Sequence, residues 1–225
     1  MKGRPPGSEV QAVLAWLERH GTRRTREGYA RYGIQVDKAY GVTMADLLRL
    51  AKRLGRNHEL ALALWDTGWY EARLLTSFVD EPARVTSAQM DRWCRDFDNW
   101  GTCDTLCFVL FDRTPHAWAK VTTWSTRKPE FERRASVALL ASLAGHDKAA
   151  TDRQFLKGLR LIEKAATDGR HFVKKALLWA LRRIGGRNKP LRVATIKVCR
   201  RLIASRDSSA QWLGRNALRE LERRG

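Results

Sequence analysis

The sequence predicts an all-α protein, an α-solenoid of antiparallel helix pairs with about 40 residues in each unit. Three observations predict it. Apolar residues recur at intervals of three and four, the alternation typical of strands is absent, and the links between helical segments are short. Proline is scarce, with 6 among 225 residues. A helical bundle without repeats stays open as an alternative, because no crisp sequence repeat is visible.

The first helices are bounded by residues that favour helix ends. Ser8 is a good N-cap, Thr22 can cap a second and very basic helix, and Thr43 with Asp46 three residues later resembles a capping box. Residues 1–7, rich in proline and glycine, are expected to be flexible, and 1–225 to form a single domain. These signals predict helices at about 8–21, 22–33, 43–55, 57–65 and 69–78.

The later helices follow the same pattern. Thr86 and Gln89 repeat the capping-box spacing, and Pro129 stands where a first-turn proline belongs. The predicted helices continue at about 86–97, 100–110, 116–124, 129–144, 151–167, 170–184, 190–205 and 208–223.

Four residues stand about one unit apart, each in the second helix of a predicted pair. They are Trp65, Trp100, Arg134 and Trp179. Equivalent positions of successive second helices line one face of a solenoid, so we expect these four on one concave surface.

The charge predicts a polyanionic partner. Lys and Arg number 43 against 24 Asp and Glu, a formal net charge of +19. This favours nucleic acid over an anionic membrane surface, with a merely basic protein as the plain alternative. The stretch Gly169–Arg206 holds 12 Lys or Arg and no acid, which favours phosphate binding over a solvated face. Its candidate phosphate ligands include Lys174, Lys175, Arg182 and Arg183.

Several functions find no support in the sequence. Cys103 and Cys107 lie four apart but lack a second pair of metal-ligand spacing, so the four cysteines are interpreted as small core residues and no metal is expected. No glycine-rich phosphate loop is present, so no nucleotide cofactor is expected. With neither a signal peptide nor an apolar span, we expect no membrane partner and a cytoplasmic protein, nucleoid-associated if prokaryotic.

The pair Trp100 and Asp104 is the candidate centre of the chain. At a spacing of four, an aromatic ring and a carboxylate share one helix face if the helix begins near Asn99. Together they would hold a sugar and stabilise positive charge on it. The alternatives are core packing for the tryptophan and a structural salt bridge from Asp104 to Arg133 or Arg134.

From Tyr29 to Ile203, a series of short segments resembles the DNA alkylation repair family, the HEAT-like-repeat DNA glycosylases. Their order and spacing are more specific than any one of them. The segments are Tyr32 ahead of Tyr40-Gly41-Val42, Leu47 to Leu54, Leu64-Trp65, Glu71-Ala72-Arg73, Asn99-Trp100-Gly101-Thr102-Cys103-Asp104, Phe131-Glu132-Arg133-Arg134-Ala135, and Phe172-Val173-Lys174-Lys175-Ala176 leading to Trp179.

The resemblance implies a role for each matching residue. Trp100 and Asp104 match the family's Trp-x-x-x-Asp catalytic element, Arg134 its arginine, and Trp179 its second aromatic. Tyr32 matches an aromatic that contacts the duplex around the lesion. The implied fold is a HEAT-like solenoid whose concave basic face cradles duplex DNA.

The resemblance also implies the reaction. A monomeric, cofactor-independent glycosylase would excise cationic purines alkylated at N3 or N7, such as 3-methyladenine and 7-methylguanine, from duplex DNA. No lysine is placed for a Schiff base, so lyase activity is not expected. Arg133 joins the basic candidates for DNA binding. Gly101 departs from the family pattern and predicts a looser first turn of its helix.

Two other functions stay open at this point. One is a non-catalytic protein that binds distorted or branched DNA or RNA, and the other is a scaffold for an acidic protein partner.

Overall fold

The structure, a computed structural model, describes residues 6–223, and within that range it contains 13 α-helices and one 3-10 helix, Phe111–Arg113, without a strand. The predicted all-α class is confirmed. The helices are α1 (Pro6–His20), α2 (Arg23–Arg31), α3 (Met44–Leu54), α4 (His58–Asp66), α5 (Tyr70–Val79), α6 (Ser87–Arg95), α7 (Trp100–Val109), α8 (Ala117–Trp124), α9 (Glu130–His146), α10 (Asp152–Ala165), α11 (His171–Gly185), α12 (Lys189–Ile203) and α13 (Ser208–Glu222).

Side-chain caps define several helix starts. Thr43 accepts a hydrogen bond from the N–H of Asp46 (3.2 Å), and at the start of α10 the Gln154 side chain accepts one from the N–H of Thr151 (3.0 Å). Helix α1 begins earlier than the predicted Ser8, because proline is tolerated in a first turn, where N–H groups have no helical partner. Residues 6 and 7 of the predicted flexible segment are therefore helical, and residues 1–5 lie outside the described residues.

By its internal contacts the chain divides into two compact units. The first contains residues up to 93 together with 97–114, and the second contains 94–96 together with 115 onwards. The single domain expected from the sequence stays a prediction.

In the first unit, α5 is the central helix. It packs against α3 and α4, which precede it in the chain, and against α7, which follows it. Helix α1 packs on α4. Leu47, Leu64 and Leu75 are fully buried in the core that these helices share. Helix α7, which carries Trp100 and Asp104, is thus held by the best-buried helix of its unit.

In the second unit, helices two apart in the chain pack against each other. Helix α11 packs against α9 and α13, and α10 packs against α12, while α8 pairs with α9 and α12 with α13. This is the contact pattern expected of stacked helix pairs. It places the helices of Arg134, Trp179 and Trp212 next to one another.

Five tryptophans lie on otherwise apolar stripes of the sequence, which predicts core positions for Trp16, Trp65, Trp93, Trp118 and Trp212. Trp65 and Trp93 are buried and stacked, with ring centroids 4.3 Å apart, as predicted. Trp16, Trp118 and Trp212 are only half-buried, so the prediction holds for them only in part. Trp65 also lies on α4 and is 1% exposed, so it does not line an open face as its spacing suggested.

All four cysteines are buried thiols, which confirms their interpretation as core residues. Burial raises the pKa of Cys199 to about 12. Across residues 6–223, no helix combines the length and apolarity needed to cross a membrane.

Candidate functional site

Helix α7 places Trp100 and Asp104 on one face. Asn99 is its N-cap, and the Asn99 side chain accepts a hydrogen bond from the N–H of Thr102 (2.9 Å). Trp100 is therefore the first helical residue, and Asp104 follows one turn later. Both side chains are half-buried. The predicted helix start, on which the shared face depends, is confirmed.

The Trp100 indole is fixed by the residue that ends α2. Its Nε1–H donates to the backbone carbonyl of Tyr32 (2.8 Å), and its ring packs against the core of the first unit. The side chain of Tyr32 is itself 71% exposed. The structure thus brings Tyr32 and Trp100 together through backbone, and leaves the tyrosine ring accessible.

Gly101 is a close-packed position. A Cβ there would lie 2.5 Å from the Tyr70 hydroxyl and 3.1 Å from Cδ1 of Ile34. The absence of a side chain lets the first turn of α7 approach α5 closely. The expected loosening is therefore offset by packing that a larger residue would disrupt.

Glu71 is a structural carboxylate that the sequence reasoning did not single out. It is fully buried and accepts four hydrogen bonds. Its Oε1 accepts from the Tyr29 hydroxyl (3.0 Å) and the N–H groups of Gly41 (2.6 Å) and Val42 (3.2 Å), and its Oε2 from the N–H of Tyr40 (3.0 Å). A charged residue amid the apolar positions of α5 was the available signal.

These contacts attach α2 to the unit. The Tyr29 hydroxyl also lies 3.0 Å from the carbonyl of Val42, and burial, with the Glu71 charge, raises the pKa of Tyr29 far above its usual value. Gly41 adopts φ +86°, and a Cβ there would lie 2.2 Å from the carbonyl oxygen of Thr22. Glu71 therefore fixes helix α2 and the loop that follows it. The carbonyl of Tyr32, at the end of α2, is the one that holds Trp100.

In the second unit, Arg134 joins α9 to α11. It is 6% exposed, and its Nη1 donates to the backbone carbonyl of Phe172. Trp179 lies half-buried two turns further along α11. By helical spacing, Lys175 and Arg183 share the face of α11 that carries Trp179. The aromatic residue and these two cations are thus brought together on one helix.

Arg133, predicted to bind DNA, is committed to a structural contact. Its Nη1 donates to Asp168 (3.0 Å) and its Nε to the carbonyl of Arg127 (3.0 Å). Arg170 also donates to Asp168. Hydrogen bonds from Arg170 and then Arg133 lower the pKa of Asp168 to about 2. This half-buried arginine stabilises the junction before α11, and its phosphate contact stays a prediction.

Lys174 and Lys175 lie over an aromatic ring of the last helix. Their Nζ atoms stand 4.6 Å and 5.8 Å from the ring centroid of Trp212. A cation over an indole face is stabilised by the ring's electron density. The half-buried ring of Trp212 therefore stabilises two neighbouring positive charges. The apolar neighbours of Trp212 in the sequence did not indicate this role.

Arg182 and Arg183 differ despite being adjacent. Arg182 forms a salt bridge with Glu220 of α13 (2.9 Å), which offsets part of its charge within the unit, and its role in DNA binding stays a prediction. The side chain of Arg183 has no hydrogen bond or ion pair with any residue in 6–223. Its guanidinium lies across Gly145, where a Cβ would be 1.6 Å from Nη2. With Lys148, it lines an open basic cavity of about 440 Å³.

Comparison with known proteins bears on the family and on the fold. A sequence model of the family described as DNA alkylation repair enzyme matches residues 13–221. The fold is similar to that of a solved protein from "a new family of proteins related to the HEAT-like repeat DNA glycosylases with affinity for branched DNA structures", with a TM-score of 0.74 at 20% identity over 85% of this chain and 82% of that chain. This similarity confirms the HEAT-like helical fold. No curated protein matches the chain in sequence.

Proposed function

Because the chain belongs to the DNA alkylation repair enzyme family, we propose that it is a monofunctional DNA glycosylase that excises cationic N3- and N7-alkylated purines from duplex DNA. The observation that carries the proposal is the Trp100–Asp104 pair. An indole fixed by a backbone hydrogen bond and a carboxylate one turn away stand on the same face of α7.

The chemistry suits these residue types. A purine alkylated at N3 or N7 carries positive charge, so its glycosidic bond is weak and the neutral base leaves readily. The barrier lies in the positive charge that develops on the deoxyribose. Asp104 would stabilise that charge and orient the attacking water, and the face of Trp100 would hold the sugar. A preorganised charge of this kind is worth about 10²- to 10³-fold in rate.

The second unit carries further residues proposed to bind DNA. Arg134, held by the carbonyl of Phe172, would bind a phosphate, and Trp179 would offer an aromatic surface. Lys174, Lys175 and Arg183 would bind the phosphodiester backbone without regard to sequence. Duplex affinity should therefore fall steeply as salt rises.

Base release tests the proposal. The purified chain is incubated with duplex DNA carrying 7-methylguanine and 3-methyladenine, and the free bases are separated and quantified. The proposal expects both bases as free products and an intact strand at the abasic site, because a monofunctional glycosylase has no lyase activity. Stable binding to the same DNA without any base release would refute the catalytic part.

A second candidate is recognition of branched DNA without base excision. The solved protein of similar fold belongs to a family with affinity for branched DNA, which favours this reading. Competition between an unmodified duplex and a four-way junction of equal length separates the two candidates. A glycosylase of the proposed kind should bind the two substrates similarly per phosphate, whereas a junction-binding protein should prefer the junction by tenfold or more.

A further inference from the structure

Helix α2 is attached to its unit by a few contacts and leaves most of its surface exposed. None of its nine residues is buried, although an ordinary surface helix is stabilised by one apolar face. It is nevertheless held in place, through the hydrogen bonds of Tyr29 with Glu71 and the carbonyl of Val42. Tyr29, which also packs on the core, and the backbone hydrogen bond from Thr22 to Gly41 hold this helix, while most of its other residues are exposed. Such a helix is suited to presenting a surface rather than to filling a core.

That surface is cationic. The four arginines of α2 are exposed, and its one acid, Glu27, pairs with Arg23 at 2.5 Å. The side chains of Arg24, Arg26 and Arg31 have no ion pair or hydrogen bond with any residue that the structure describes. In a chain of formal charge +19, uncompensated arginines cost folding free energy by repulsion.

Gly28 lies between two of these arginines. Arg24, Gly28 and Arg31 are spaced by four and three, so they lie on one face of α2. Glycine is among the poorest helix formers, and here no packing requires it, because a Cβ at Gly28 would meet no atom within 4 Å. The arrangement is a pair of free guanidinium groups about 10 Å apart along the helix axis with an open backbone between them.

We propose that this face of α2 is a docking site for the phosphodiester backbone of DNA. Arg24 and Arg31 each bind a phosphate, for which the planar guanidinium is well suited, and Gly28 lets the sugar-phosphate strand approach the helix between them. Helix α2 ends at Tyr32, whose carbonyl holds the Trp100 indole, so the docked strand lies beside the proposed catalytic aromatic. The inference rests on the proposed function in requiring that the chain bind DNA.

Charge-matched variants test it. Arg24→Gln and Arg31→Gln are compared with Arg23→Gln, which removes the same charge from an arginine already paired with Glu27. Affinity for an unmodified duplex is measured across salt concentrations. Each of the first two variants should lower the slope of log K against log salt by about 0.9, and Arg23→Gln should leave it nearly unchanged.

Gly28 provides an independent test that keeps every charge. Gly28→Leu should weaken duplex binding by about tenfold by obstructing the strand, whereas Gly28→Ala should raise the melting temperature and bind more nearly like the wild type. Circular dichroism verifies the fold of each variant. Wild-type slopes in both arginine variants, or wild-type affinity in Gly28→Leu, would overturn the docking site while leaving the proposed function intact. Absence of duplex binding by the wild type would overturn both.

Discussion

Replacing Glu71 with alanine would remove the acceptor that attaches α2 and the following loop to α5. Of the four donors that Glu71 satisfies, the N–H groups of Gly41 and Val42 form buried hydrogen bonds. The hydrogen bonds from the Tyr29 hydroxyl and the Tyr40 N–H are partly buried. A buried donor left without a partner costs about 1–3 kcal/mol. Two such donors give an expected loss of about 4 kcal/mol in the free energy of unfolding of the first unit.

The loss is measured by chemical denaturation followed by tryptophan fluorescence. Amide hydrogen exchange at residues 40–42 should also accelerate, because these amides lose their acceptor. Glu71→Gln keeps one carbonyl oxygen, so it should destabilise less than alanine does.

Glu59→Ala is the matched control, since the Glu59 side chain is 61% exposed and forms only a surface pair with Arg84. That change should cost less than about 1 kcal/mol. If Glu71→Ala were no more destabilising than this control, or left exchange at 40–42 unchanged, the proposed role of the carboxylate would be wrong.

Three further changes test other parts of the structure. Gly101→Ala should destabilise the first unit by about 1–3 kcal/mol in denaturation, because the new Cβ meets the Tyr70 hydroxyl, and adding Tyr70→Phe should recover part of the loss. Asp168→Asn should remove acid-dependent stability: its pKa falls from 3.8 to about 2 on folding, so in the wild type that stabilisation is present above pH 4 and lost towards pH 2, as an acid titration by circular dichroism would show. Trp212→Leu should lower duplex affinity and the salt slope, because the two lysines above its ring lose their shared support; an unchanged slope would contradict that role.

The sequence predicts most clearly what depends on neighbouring residues. Helix periodicity and side-chain caps are local, so the all-α class and the start of α7 at Trp100 follow from a few adjacent positions. The placement of Trp100 and Asp104 on one face follows from that start and the helical repeat alone.

Charge partners are less predictable, because they depend on contacts between distant segments. Arg133 is separated by 35 residues from Asp168, and Arg182 by 38 residues from Glu220. The acids lie outside the basic stretch, so its composition alone suggested more unpaired charge than the folded chain retains.

The half-buried position of Trp212 has the same origin. Its apolar neighbours indicated a core residue, but the packing of α13 beside α11 brings its ring beneath Lys174 and Lys175. A helical stripe in the sequence shows which side of a helix faces its neighbours, but not how far that side is covered.

The most direct test of the central claim is the single-turnover rate of 7-methylguanine release by the wild type and by Asp104→Asn, with DNA affinity measured on the same preparations. Asp98→Asn, an exposed acid just before the same helix, serves as the control for loss of charge. We predict that Asp104→Asn lowers the rate by about 10²- to 10³-fold with affinity almost unchanged, and that Asp98→Asn retains activity. Equal rates for Asp104→Asn and the wild type, or a loss explained entirely by weaker binding, would contradict a catalytic role for Asp104.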